Sequence, residues 1–178
     1  RFFSLQRSCL RCRLSFEEPD PRLFSFNSRQ GACSLCQGLG TIRTTGNKKT
    51  QEENCPKCEG KRLNSQALAV KVQGRTISDL TDLTVEEALE FFSSLKLKGR
   101  EKLIAEKVLQ ELQVRLKFLA RVGLSYLTLA RSSNTLSGGE AQRVRLAAQL
   151  GSNLRGVCYI LDEPTIGLDP QARHLVWQ

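Results

Sequence analysis

The chain has 178 residues, 40% of them hydrophobic, which is enough for one domain with a core or a domain with a small appendage. Lysine and arginine outnumber aspartate and glutamate by 27 to 18, and the resulting formal charge of +9 favours polyanionic partners, although a solubilising surface would look the same. No apolar run approaches the roughly twenty residues of a membrane span and Arg1 to Leu14 has no signal-like apolar core, so a cytoplasmic chain without a membrane partner is expected.

Six of the seven cysteines form three C-x-x-C pairs: Cys9 with Cys12, Cys33 with Cys36, and Cys55 with Cys58. Twenty residues separate the first two pairs and eighteen the last two. Both spacings suit a four-cysteine Zn²⁺ site built from two converging knuckles, and a reducing compartment disfavours disulfides. Only one zinc can use Cys33 and Cys36. The Cys-x-x-Cys-x-Gly context that they share with Cys55 and Cys58 favours that set of four, leaving Cys9 and Cys12 to a second site with ligands upstream of Arg1. The opposite pairing, Cys9 and Cys12 with Cys33 and Cys36, stays open.

Gly40 to Thr50 is basic, and Gly46-Asn47 offers turn chemistry between short β-prone arms. A hairpin there would press Arg43, Lys48 and Lys49 against DNA phosphates without reading sequence; a knuckle loop with solvated lysines accounts for the same residues. A boundary is expected near Leu63 to Ser65. Leu68 to Val72, with Gly74, Arg75 and Ile77, alternates like a short hairpin or edge strand. Thr84-Val85-Glu86-Glu87 reads as a capping box opening a helix over Glu86 to Phe92. From Arg100 to Val122, Leu103, Ile104, Val108, Leu112, Leu116, Leu119 and Ala120 recur at helical steps, predicting one long amphipathic helix ended by Gly123.

Leu136-Ser137-Gly138-Gly139-Glu140 reads as a further helix start. Ser137 and Glu140 have capping-box spacing, yet two glycines in a first turn cost a helix about 1 kcal/mol each relative to alanine. Bare amides there can close on a phosphate. The following helix is expected to turn Val144, Ala147, Ala148 and Leu150 inward. Val157-Cys158-Tyr159-Ile160-Leu161 is an apolar run of the kind buried on both faces of a parallel sheet, with Cys158 in the core, and it ends in Asp162-Glu163. Ligands in open α/β sheets sit beyond the carboxyl ends of strands, so Asp162 would hold Mg²⁺ and Glu163 would polarise an attacking water; two solvated turn residues before Pro164 are the plainer alternative.

Taken together, Ser137 to Glu140 resembles the signature loop of ABC-type ATPases, Cys158 to Glu163 their Walker B strand, and Ile166-Gly167-Leu168-Asp169 their D-loop. Within that superfamily, Tyr126 to Arg131 and Asn134 to Leu146 are similar to the UvrA family, the damage-sensing subunits of the bacterial UvrABC excinuclease. The likeness extends to Pro21 to Asn27 and Cys55 to Leu63, and so to nearly the whole chain. It implies an α/β fold: a partial ABC-type ATPase domain with a four-cysteine zinc module over residues 1–64, a helical signature subdomain over 65–150, and the Walker B strand and D-loop of the core over 151–178. It also implies ATP-dependent DNA-damage recognition in nucleotide excision repair. ATP, Mg²⁺ and Zn²⁺ would be the cofactors, with Ser137, Gly138, Gly139, Glu140, Asp162 and Asp169 around the nucleotide and Glu163 as the catalytic group. Double-stranded DNA and a second ATPase half or homodimer partner are the implied partners, and UvrB is a further candidate.

The chain departs from the family in one respect, since UvrA proteins usually carry a large insertion between the corresponding cysteine pairs and eighteen residues cannot contain it. A shortened paralogue is therefore expected. No G-x-x-x-x-G-K-[ST] phosphate loop occurs, and His174 lies too close to the D-loop to act as the family's switch histidine. With no methionine and a start at Arg1, a fragment is expected, one that supplies the signature loop and Walker B of the first ATPase half and does not hydrolyse ATP alone. Two other classes compete. Cys33 to Gly40 fits the Cys-x-x-Cys-x-Gly-x-Gly repeat of DnaJ-like chaperones, but only once. The ATPase subunit of an ABC transporter would explain the signature and Walker B but not the cysteines.

Overall fold

The computed structural model describes residues 20–46 and 49–150, with 9, 11 and 18, and for residues 45, 46, 49–51 and 150 it describes only the backbone. The described residues fall into two compact units that divide between Ile77 and Ser78.

In the first unit, a 3-10 turn at Pro21–Phe24 opens with Asp20, whose carboxylate accepts from the Arg22 amide at 2.8 Å. Strands β1 (Thr41–Gly46) and β2 (Lys49–Asn54) form an antiparallel hairpin, in register from Thr41 opposite Asn54 to Gly46 opposite Lys49. Helix α1 (Ser65–Ala69) follows, because the Asn64 side chain accepts from the Ala67 amide at 2.9 Å and so caps it. That cap overturns part of the strand expected from Leu68. Leu68 and Ala69 are helical, and only the tight turn from Val72 to Arg75 is hairpin-like, with both central residues, Gln73 and Gly74, at positive φ.

Helix α2 (Ile77–Thr81) leads into the second unit. There α3 (Val85–Ser94) starts on the expected capping box, with Thr84 and Glu87 exchanging both bonds. Helix α4 (Gly99–Arg121) ends in a Schellman motif: Gly123 takes φ +77°, its amide donates to Ala120, and the Leu124 amide reaches back to Leu119. The chain then runs along the start of α3. The Leu127 and Ser125 carbonyls accept the Val85 and Glu86 amides at 2.9 and 3.1 Å, two first-turn donors with no partner inside their own helix. Helix α5 (Gly138–Leu150) is the last element of the unit among the described residues.

Among the described residues, two apolar clusters hold it. Val85, Ala88 and Leu116 join α3 to α4, and Val122, Leu124, Leu127, Leu146 and Ala147 join the α4 end and its loop to α5. The sequence pattern overestimates both. Leu103, Ile104 and Val108 are 67–75% exposed, because α4 runs for 23 residues against a ten-residue α3. On α5 it is Leu146, not Ala148, that joins Ala147 inside. Among the described residues the sheet is the two-stranded hairpin alone. The run Val157 to Leu161, expected as a buried parallel strand, lies outside the described residues.

Candidate metal centre and glycine turn

The first unit brings Cys33, Cys36, Cys55 and Cys58 together, all buried, with their sulfurs within 4.8 Å of one another. Each C-x-x-C-x-Gly run makes the same tight turn. Cys33 and Cys55 carbonyls accept from the amides of Gln37 and Glu59, both at 2.8 Å, and the residues after each turn, Gln37-Gly38 and Glu59-Gly60, take positive φ. The Gly38 position admits no side chain, since a Cβ there would overlap the Phe26 carbonyl. The guanidinium of Arg62 packs 3.5 Å over the Phe26 ring and donates to the Gly38 carbonyl at 2.8 Å, holding the knuckle from outside.

Two sulfur separations, 3.9 Å for Cys33 to Cys55 and 3.6 Å for Cys36 to Cys58, match the roughly 3.8 Å edge of a tetrahedron with metal–sulfur bonds of about 2.3 Å. The electrostatics agree. Burial works to raise the Cys33 thiol, but amide hydrogens of Cys36 and Leu35 and the neighbouring thiols outweigh it and draw it down to about 7; burial pushes Cys58 up to about 12. Four crowded sulfurs cannot all ionise without a cation. The donor set and spacing therefore fit Zn²⁺.

Cys9 is half-buried in the described structure, and Cys12 lies outside it. Of the residues expected against DNA, Arg43 is opposite Glu52 across the hairpin and donates to it at 3.1 Å, while Lys48 and the Lys49 side chain lie outside the described residues. An exposed pair of this kind contributes about 0–1 kcal/mol, so it does not fix Arg43 in place.

In the second unit, Ser137 and Glu140 close the expected box: Glu140 Oε2 accepts the Ser137 amide at 2.7 Å, and the Ser137 hydroxyl accepts the Glu140 amide at 3.2 Å. Among the described residues, nothing beyond the helix's own backbone and the chain neighbours lies within 4 Å of where a Cβ on Gly138 or Gly139 would stand. The turn thus presents uncovered backbone at the positive end of a 13-residue helix. Glu140 is buried behind it. Its Oε1 accepts the Tyr126 hydroxyl at 2.8 Å and lies 3.5 Å from the Arg131 guanidinium. The Ser137 amide first, with the Tyr126 hydroxyl, holds the Glu140 carboxyl below its ordinary value. Sequence spacing gave no sign of Tyr126 or Arg131 at this carboxylate, because fourteen and nine residues along a loop carry no periodicity. Asp162, Glu163, Asp169, Cys158 and His174 lie outside the described residues.

A two-knuckle sulfur cage and, further along the same chain, a capped glycine turn are set in a chain similar to the UvrABC system protein A. It is 60% identical over 114 residues to the UvrABC system protein A of Methanothermobacter thermautotrophicus, a match covering 64% of this chain and 12% of that protein. With its counterpart from Bacillus subtilis the identity is 52% over 131 residues, 74% of this chain and 14% of that protein. The crystal structure of UvrA2 from Deinococcus radiodurans matches with a TM-score of 0.65 and 38% identity, over 87% of this chain and 18% of that one. No family model matches the chain. The chain thus spans between 12 and 14% of the length of these curated relatives.

Proposed function

We propose that this chain supplies the signature turn and zinc module of a UvrA-type ATPase that recognises damaged double-stranded DNA in nucleotide excision repair. The observation that carries the reading is that no described residue crowds Gly138 and Gly139 at the head of α5, on a chain 60% identical over 114 residues to a UvrABC system protein A. The Ser137 hydroxyl and the Gly138 and Gly139 amides meet the γ-phosphate of ATP held by a phosphate loop in another half or in a homodimer partner. On nucleotide bound in its own half, Asp162 would hold Mg²⁺, which screens phosphate charge, and Glu163 would polarise the attacking water, with Asp169 in the adjoining loop. By this division residues 1–64 form the zinc module, 65–150 the helical signature region and 151–178 the core strand.

Zn²⁺ in the cysteine cage serves as a structural staple that keeps the basic hairpin in place, and Arg43, Lys48 and Lys49 give that hairpin its phosphate-facing charge. A UvrB-type protein is a further partner of the complete assembly, which works in the cytoplasm. The test is Glu163→Gln in the complete protein. Turnover should fall by at least about a hundredfold with nucleotide binding retained, and near-normal hydrolysis would remove Glu163 from this role.

A further inference from the structure

We infer that Tyr126 and Arg131 are positioning residues for the glycine turn, Tyr126 acting through Glu140 and Arg131 through Glu140 and Thr135, an inference that rests on the reading in which that turn meets nucleotide. A capping box needs only one carboxylate oxygen, and Glu140 Oε2 already takes the Ser137 amide. The second oxygen is committed elsewhere, to the Tyr126 hydroxyl at 2.8 Å and the Arg131 guanidinium at 3.5 Å. The same guanidinium donates to the Thr135 carbonyl at 2.9 Å and its hydroxyl at 3.3 Å, two residues before Ser137. Arg131 therefore grips the turn on its entering side while Glu140 grips it from the helix.

Both grips are anchored outside α5. Tyr126 and Arg131 belong to the stretch from Ser125 to Arg131, whose Ser125 and Leu127 carbonyls take the first amides of α3 and whose Ala130 amide donates to the Thr81 carbonyl at 2.9 Å. The direction in which the bare amides point is thus referenced to the start of α3. A turn that meets a triphosphate held elsewhere makes its contacts after nucleotide has bound, so loosening it lowers kcat and leaves KM for ATP nearly unchanged.

In the complete protein, Tyr126→Phe and Arg131→Lys should each lower kcat roughly three- to tenfold, with KM within about twofold and the number of nucleotide sites unchanged. Tyr126 is 54% exposed, so removing one oxygen leaves the core intact even if the arginine variant fails to fold. Combined with Glu140→Ala, Tyr126→Phe should lower kcat no further than Glu140→Ala alone; additive losses overturn the inference. So does a rise in KM at constant kcat, or a loss of sites in proportion to activity, either of which marks a merely structural role. Gly138→Val, which covers the amides, separates the two levels. If it stalls turnover while Tyr126→Phe and Arg131→Lys are silent, the positioning role is wrong and the nucleotide-facing turn survives; if Gly138→Val is itself silent, the turn reading falls.

Discussion

The Cys33 amide donates to the Arg62 carbonyl at 2.9 Å, four residues beyond Cys58, and the relation is reciprocated: the Cys55 amide donates at 2.8 Å to Gly40, four residues beyond Cys36. Each knuckle is thereby closed by the tail of the other. The four sulfurs are held by backbone in a pseudo-symmetric frame, which explains how a short segment with little apolar core forms a compact unit. The Gly40 amide, 3.3 Å from the Cys36 sulfur, adds a donor to the same cage.

One equivalent of Zn²⁺ per chain is expected after purification under reducing conditions, measured by elemental analysis against protein concentration. Cys55→Ser should release it and abolish the cooperative unfolding of the first unit, because metal-binding energy of this kind is folding energy. A folded, metal-free wild-type chain would contradict the cage as a zinc site.

Gly38→Ala should destabilise the same unit by about 2–4 kcal/mol, since a β-carbon at φ +85° meets both an unfavourable backbone region and the Phe26 carbonyl. Gly74→Ala is the control. It has a similar φ of +82° but, among the described residues, nothing beyond its chain neighbours within 4 Å, so only the backbone cost of about 1 kcal/mol applies. Chemical denaturation of the zinc-loaded variants would distinguish the two.

Acid should loosen the second unit through Glu140. Its carboxyl lies below the ordinary 4.5 in the folded chain, so its stabilisation is complete above that value and is lost as pH falls through the folded one. At the other end, hydrogen bonding to Glu140 first, then burial, raises the Tyr126 phenol, so that contribution is complete below the ordinary 10 and is lost as pH rises through the folded value. Thermal melts from about pH 3 to 11 should show both flanks in wild type. In Glu140→Gln the acid flank contributed by this residue should vanish; an unchanged profile would contradict the coupling.

Leu124→Ala should cost about 2–5 kcal/mol, because Leu124 is fully buried where the end of α4 meets α5. Val108→Ala, on the exposed part of α4, should stay within about 0.5 kcal/mol of wild type. Equal losses would place Val108 in a core that the structure does not give it.

These contrasts also mark what the sequence made legible. Both capping boxes and the Gly123 stop were readable because each depends on a few neighbouring residues, while the hairpin was one of two readings that its residues left open. The cysteine set of four was favoured on shared context, and it is these sulfurs that the fold gathers. Burial was harder to read. Helical periodicity marks which side of α4 is apolar but not how far its partner extends, so Leu103, Ile104 and Val108 looked like core residues. Tyr126 and Arg131 reach Glu140 only because the loop after Gly123 returns along α3, a tertiary event with no local signature.

The hairpin has a consequence for engineering and for kinship. Its strands stay paired out to Gly46 opposite Lys49, so the ends of the connection stand about one strand spacing apart and far along the ribbon from the thiols. A guest module whose own termini lie side by side can be spliced between those two residues without straining the cage. Gain or loss of such a guest would change what the ribbon carries while leaving its base alone, so the same anchor tolerates a very different spacing between its two cysteine pairs.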